Sequence, residues 1–167
     1  MVATLTLRVY TTAGAATESA AVTGIDLISA DNATNTLANR QAFPVTVATR
    51  SYEKWVKLKV DAWPTTEVKN FRIWGDGTVA SSTTLYFTAG QVTGITPTNG
   101  SSTVATTNFT TWTTNNKATW DVTAYTATNA TTKYAVFQLS VDADCNPGYW
   151  NAIATGAETV SYSYEES

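Results

Sequence analysis

The sequence predicts a single all-β domain, an antiparallel β-sandwich or jelly-roll-like fold of about eight to ten short strands with long Thr-rich loops. Two observations predict it. Thr supplies 34 of the 167 residues, and this β-branched residue suits a pleated surface better than a helix. Several segments also alternate apolar and polar residues with a period of two. A chain of this length fits one domain spanning residues 1–167.

The clearest predicted strand is Tyr52–Val60, whose second half alternates apolar residues with Lys. Val56, Leu58 and Val60 fall on one face, and this face is expected to contact the core. The opposite face carries Glu53, Trp55, Lys57 and Lys59.

Other segments follow the same pattern with different strength. The stronger strand candidates are Leu5–Val9, Phe71–Trp74, Thr83–Thr88, Tyr134–Val141 and Thr159–Tyr164. The weaker ones are Gly24–Ser29, Phe43–Ala48, Ser102–Thr106 and Thr119–Thr123. Helix is expected to be minor, with at most one turn or a loop in Asp31–Arg40. Residues 90–130 are predicted to form an extended loop or an excursion of an edge strand. We expect this segment to pack against the rest of the domain through its aromatic residues.

Composition excludes several classes of partner and chemistry. The net charge of −3 gives no basic field for phosphates, so neither nucleic acid nor a membrane surface is the predicted partner. The chain has no His and a single cysteine, Cys145. Histidine-based catalysis, multi-ligand zinc sites and intrachain disulfides are therefore excluded, and we expect a protein that is not an enzyme.

The acidic residues do not mark a catalytic pair. Most of the Asp residues fall at predicted strand ends or turns, where Asp commonly caps the backbone. Asp142 and Asp144 open a run that resembles a calcium loop, but Pro147 and Ile153 replace the Gly and Glu that an EF-hand requires. A capped turn is the favoured interpretation, a calcium site of another kind stays open, and no cofactor is predicted.

Six Trp residues are the compositional feature that most suggests binding, since exposed Trp anchors interfaces and stacks on sugars. Trp55 and Trp74 lie opposite the apolar faces of their strands. The residues predicted to take part in an interface lie in or near loops: Trp63, Trp112, Trp120, Tyr149 and Trp150. The competing interpretation is that they fill the core.

The order of four segments resembles small structural proteins of tailed bacteriophages. These segments are Ser51–Val60, Asn70–Gly77, Ala135–Val141 and Val160–Glu166. The shared pattern is a Thr/Ala-rich β-domain with a Lys-bearing central strand, an aromatic strand ending in a Gly turn, and a final strand with alternating Tyr. The resemblance implies a virion subunit of the capsid cement or decoration type and transfers no functional residue.

The resemblance further implies that the chain binds the lattice of the major capsid protein on the capsid exterior, after synthesis in the host cytoplasm. The N-terminus enters strand alternation directly, without the pattern of a secretion signal. Self-association of the chain stays open. The alternative prediction is a carbohydrate- or receptor-binding β-sandwich module of a tail, baseplate or head fibre.

Overall fold

A computed structural model describes residues 3–32, 36–62, 66–77, 79, 82–145 and 160–167. The described residues form nine strands and little helix, which confirms the predicted all-β, antiparallel sandwich-like class. The strands are β1 (Thr4–Thr11), β2 (Thr17–Glu18), β3 (Lys54–Ala62), β4 (Val68–Trp74), β5 (Thr83–Gln91), β6 (Thr107–Asn108), β7 (Ala118–Asp121), β8 (Tyr134–Val141) and β9 (Ser161–Glu166). The helical elements are α1 (Leu37–Ala42) and 3₁₀ turns at Ala13–Ala15 and Phe109–Thr111.

The strands form two antiparallel sheets. The larger sheet has the order β2-β1-β3-β8-β5-β6, and the smaller has the order β7-β4-β9. In the structure β1 is an inner strand, paired with β2 on one side and β3 on the other, so it has no free edge along most of its length. The last strand, β9, ends the order of the smaller sheet.

The core lies between the two sheets. Val56, Leu58 and Val60 of β3 are at most 1% exposed, as the alternation predicted. From the smaller sheet, Phe71 and Ile73 contribute equally buried side chains to the same cluster. Burial of this apolar surface is the main force that holds the sheets together.

The outer face of the larger sheet is also buried, which alternation alone did not predict. Trp55 lies opposite the core face, yet it is 0% exposed. It packs with Tyr10, Tyr134 and Ala105 in a second cluster, and the ring centroids of Trp55 and Tyr134 lie 5.3 Å apart. The segment before β6 and the Ala13–Ala15 turn therefore cover this face of the sheet.

Gln138 of β8 holds the segment before β6 against the larger sheet through hydrogen bonds. Its amide nitrogen donates to the carbonyls of Ser51, Thr98 and Gly100, at 2.7 to 3.1 Å. Its amide oxygen accepts the Ser102 backbone N–H at 3.0 Å. A buried amide with its hydrogen bonds satisfied is strongly bound to the chain that it contacts.

Three of the weaker strand predictions are wrong. Residues 24–29, 43–48 and 102–106 form no strand, whereas the fourth segment, Thr119–Thr123, overlaps β7. Side chains such as Ile28, Val45 and Ala105 are nevertheless buried. These segments cover the sheets, so some of their apolar side chains are buried and others are not. They lack the ladder of backbone hydrogen bonds that defines a strand.

The short helix α1 begins later than the predicted turn in Asp31–Arg40. Thr36 caps it, since its hydroxyl accepts the Asn39 backbone N–H at 3.2 Å. The predicted excursion in residues 90–130 contains β6, a 3₁₀ turn and β7, joined by irregular chain. Phe109 and Trp120 bury their side chains in the core and so attach this region to the sandwich.

Candidate functional site

The outer face of the smaller sheet differs from that of the larger one because its side chains reach solvent. We call the surface formed by Arg72, Trp74, Lys117, Thr119 and Ser163 the open face. Arg72 pairs with Thr119 of β7 on one side and with Ser163 of β9 on the other. These side chains are half-buried or exposed, whereas Ile73, Ala118 and Trp120 beside them are buried in the core.

Two cations and an aromatic ring dominate the open face. The Lys117 ammonium lies 4.1 Å from the centroid of the Trp74 ring. The Arg72 guanidinium donates to the Thr119 hydroxyl. Within the described part of the chain, neither cation forms an ion pair with a carboxylate, although the chain as a whole is acidic. The surface cations that do form such pairs are Arg8, Arg40, Lys59, Lys69 and Lys133.

This arrangement suits an acidic partner. A carboxylate that approaches Arg72 and Lys117 gains charge-assisted hydrogen bonds without first breaking any ion pair among the described residues. The cation–π contact of an exposed Lys is worth only about 0.5–1 kcal/mol, so Lys117 can leave the ring at small cost. Trp74 would then be available as an apolar anchor.

A cleft of about 310 Å³ opens beside the open face, between β5 of the larger sheet and β7 of the smaller one. Phe87, Thr88 and Ala89 of β5 form one wall. The other walls come from Thr107, Trp112, Ala118 and Thr119. Beyond these residues the two strands meet, because a Cβ placed at Gly90 would lie 3.6 Å from the Trp120 carbonyl oxygen. No charged side chain lines the cleft.

The position of Trp112 depends on a close contact at the end of β4. The Gly75 backbone N–H donates to the Trp112 carbonyl at 2.9 Å, and the Trp112 N–H donates to the Phe109 carbonyl at 2.9 Å. A Cβ at position 75 would lie 2.8 Å from the ring of Phe109. Only glycine therefore allows the backbone to approach the ring this closely.

Gly75→Ala is expected to lower the free energy of unfolding by about 1–3 kcal/mol, because the added methyl overlaps the buried Phe109 ring. Chemical denaturation measures the change. Gly100→Ala is the control: a Cβ there meets its nearest neighbour at 3.4 Å, so its effect is expected to be small. Equal stability of Gly75→Ala and the unaltered protein would contradict the close approach.

The structure assigns different positions to the predicted interface residues. Trp112 lines the cleft and is half-buried. Trp120 is 1% exposed and its indole N–H donates to the Lys133 carbonyl at 2.8 Å, so it is a core residue and offers no surface to a partner. The remaining three, Trp63, Tyr149 and Trp150, lie outside the described residues.

Sequence reasoning missed the cationic part of the site. The alternation of β4 already placed Arg72 and Trp74 away from the core, and this was the available signal. Lys117 could not be assigned from the sequence, because its position over Trp74 depends on the pairing of β4 with β7.

Asp121, at the end of β7, is a structural carboxylate. It accepts hydrogen bonds from the Tyr125 hydroxyl at 2.6 Å, the Lys133 N–H at 2.7 Å and the Thr123 N–H at 3.0 Å. Burial alone would raise the pKa of Asp121, but these hydrogen bonds favour the charged form and lower the pKa to about 2. This agrees with the capping role predicted for Asp at strand ends.

Lys54, at the start of β3, is a buried cation that binds the segment around Ala30–Asn32 to the larger sheet. Its ammonium donates to the carbonyls of Ala30 at 2.9 Å and Asn32 at 2.7 Å. Burial lowers the pKa of Lys54 to about 8, and the Asp31 and Asp26 carboxylates limit the fall.

The predicted turn at Asp142 and Asp144 is present as far as the structure describes it. Both residues are exposed, and the Cys145 N–H donates to the Asp142 carbonyl at 3.3 Å. Among the described residues, no group of three or more His, Cys, Asp or Glu is placed to hold a metal ion. Pro147 and Ile153 of the same run lie outside the described residues.

No protein family matches the sequence, and no curated protein or solved structure is significantly similar to the chain. Within the residues that the structure describes, none of the helices has the length and apolar character needed to cross a membrane.

Proposed function

We propose that this chain is a structural subunit of a tailed-bacteriophage particle, a decoration or cement protein that binds the lattice of the major capsid protein on the capsid exterior. The open face is the observation that carries the proposal. It is a sheet surface with two cations that lack carboxylate partners among the described residues and one aromatic ring. The sequence resemblance to phage structural proteins supplies the class of partner.

The way that the two sheets are covered supports docking through the open face. The outer face of the larger sheet is filled by the chain's own residues, as the complete burial of Trp55 and Gln138 shows. A flat, preformed sheet surface needs little rearrangement on binding, and a repeated lattice adds many modest contacts. The carboxylates of the partner would pair with Arg72 and Lys117, and Trp74 would be buried at the centre.

Lys117→Gln is expected to weaken binding to purified capsids by about fivefold or more, because the variant loses one charge-assisted contact. Co-sedimentation with capsids that lack this chain measures the affinity, and added salt should reduce binding of the unaltered protein. Lys59→Gln is the matched control, since Lys59 lies on the larger sheet and is already paired with Glu18 at 2.9 Å. Its binding should equal that of the unaltered protein.

Heating provides the test of the cement role itself. Capsids loaded with this protein should withstand a higher temperature than bare capsids, since a ligand that binds only the assembled state stabilises it. The proposal fails if bare capsids do not bind the chain, or if bound chain leaves their heat stability unchanged.

A further inference from the structure

We infer that the cleft between β5 and β7 binds a single pyranose ring of a saccharide, with Trp112 against one face of the sugar and Thr side chains around its hydroxyl groups. This inference goes beyond lattice docking. It names a second binding site with its own ligand, which adjoins the open face and shares Thr119 with it.

The size and charge of the cleft limit what it can hold. A volume of about 310 Å³ lies at the lower end of the range for small-molecule sites, so it admits a sugar ring and excludes a folded partner. The lining residues carry no charge, which favours a neutral ligand body over a phosphate or a metal ion.

The lining also combines the two kinds of surface that a pyranose presents. Phe87, Ala89, Trp112 and Ala118 supply apolar surface for the C–H face of the ring. Thr88, Thr107 and Thr119 supply hydroxyl groups, each of which can donate and accept hydrogen bonds. The hydroxyls of Thr88 and Thr107 make no hydrogen bond to another residue that the structure describes, so both are available to a ligand.

Trp112 carries an unused donor. Its indole Nε1 is buried and has no acceptor among the described residues. A buried N–H without an acceptor is energetically unfavourable, so an oxygen on a sugar substituent that extends past the edge of the indole would stabilise it. Arg72, which donates to the Thr119 hydroxyl, lies at the rim and would add affinity for a sugar that bears a carboxylate.

The experiment is a titration of the ¹⁵N-labelled full chain with glucose, galactose, N-acetylglucosamine and glucuronic acid, followed by NMR. The chain has six Trp residues, so the indole N–H signal of Trp112 can be assigned by its loss in Trp112→Phe. We expect one or more of these sugars to shift the Trp112 indole signal and the Thr88 and Thr119 amide signals with a common dissociation constant. Monosaccharide affinity of about millimolar strength is expected for a site of this size.

Two variants separate binding in the cleft from other effects. Trp112→Ala and Thr88→Val should each weaken sugar binding, by about tenfold or more for the Trp variant. Because Thr88→Val keeps the shape of a β-strand residue, it tests the site even if Trp112→Ala does not fold. Tyr162→Ser is the control, since Tyr162 is an exposed aromatic outside the cleft, and its sugar binding should be unchanged.

The inference is overturned if none of the four sugars shifts the Trp112 indole signal at concentrations up to about 100 mM. It is equally overturned if the shifts persist undiminished in both cleft variants. Capsid binding is measured with bare capsids and does not require sugar, so failure of the saccharide site and failure of lattice docking give different results.

Discussion

Asp121→Asn is expected to lower the free energy of unfolding by about 3 kcal/mol at pH 7. The Asp121 carboxylate is 1% exposed and accepts three hydrogen bonds, and the Lys133 ammonium lies 3.3 Å from it. An amide in its place has no charge and turns an NH₂ group towards donors. Buried donors left without acceptors cost about 1–3 kcal/mol each.

The pH dependence of stability provides an independent test of Asp121. Its pKa is about 2 in the folded chain against an ordinary value of 3.8, so the unfolded chain takes up the proton first as the pH falls. This carboxylate therefore contributes about 2 kcal/mol of stability above pH 4, which is lost as the pH falls towards 2. Asp121→Asn should lose that part of the acid dependence.

Asp61→Asn is the control for both measurements. Asp61 lies 3.4 Å from Arg8 in a partly exposed ion pair, so its replacement is expected to cost less than about 1 kcal/mol. Equal stability losses in the two variants would contradict the role assigned to Asp121.

The second large effect is that the protein becomes more stable as the pH rises from 8 to about 10. The pKa of Lys54 is about 8 in the folded chain and 10.5 ordinarily, so between these values the unfolded chain holds a proton that the folded chain has released. Stability rises with pH wherever the unfolded state binds more protons. The full gain corresponds to roughly 3 kcal/mol, at about 1.4 kcal/mol for each pH unit.

Lys54→Met should remove most of this rise, because Met fills a similar volume without a titrating group. A smaller rise of the same sign should remain, since burial also lowers the pKa of Lys57. Lys59→Met is the control and should keep it. Denaturation midpoints measured between pH 7.5 and 9.5 avoid the higher range, where the raised pKa of Tyr10 and of Tyr125 makes stability fall as the unfolded tyrosines ionise. A rise of equal size in Lys54→Met would show that Lys54 is not its source.

Alternation predicted the central strands of this fold because their core face is mostly apolar. Val56, Leu58 and Val60 could be assigned from the sequence for that reason. Alternation could not show that the other face, with Trp55 and Glu53, is buried as well. That depends on covering segments whose contacts are made far along the chain, such as the Glu53 N–H bond to the Thr98 carbonyl.

The candidate site was predictable only in part for a similar reason. Trp112 was identified because large aromatic residues in Thr-rich loops suggest binding. Trp120, chosen by the same criterion, is a core residue because β7 directs it inward. The pairing of Lys117 with Trp74 required the register of two strands separated by a long connection, which a single sequence does not supply.

The Gln138 amide has a consequence for association. By binding the Thr98 and Gly100 carbonyls and the Ser102 N–H of the segment before β6, it restricts the conformational freedom of that segment before any partner arrives. Ordering of loops on binding normally consumes part of the interaction free energy. In this chain that entropy is already lost on folding, so the ordering of this segment adds no such cost when a partner binds.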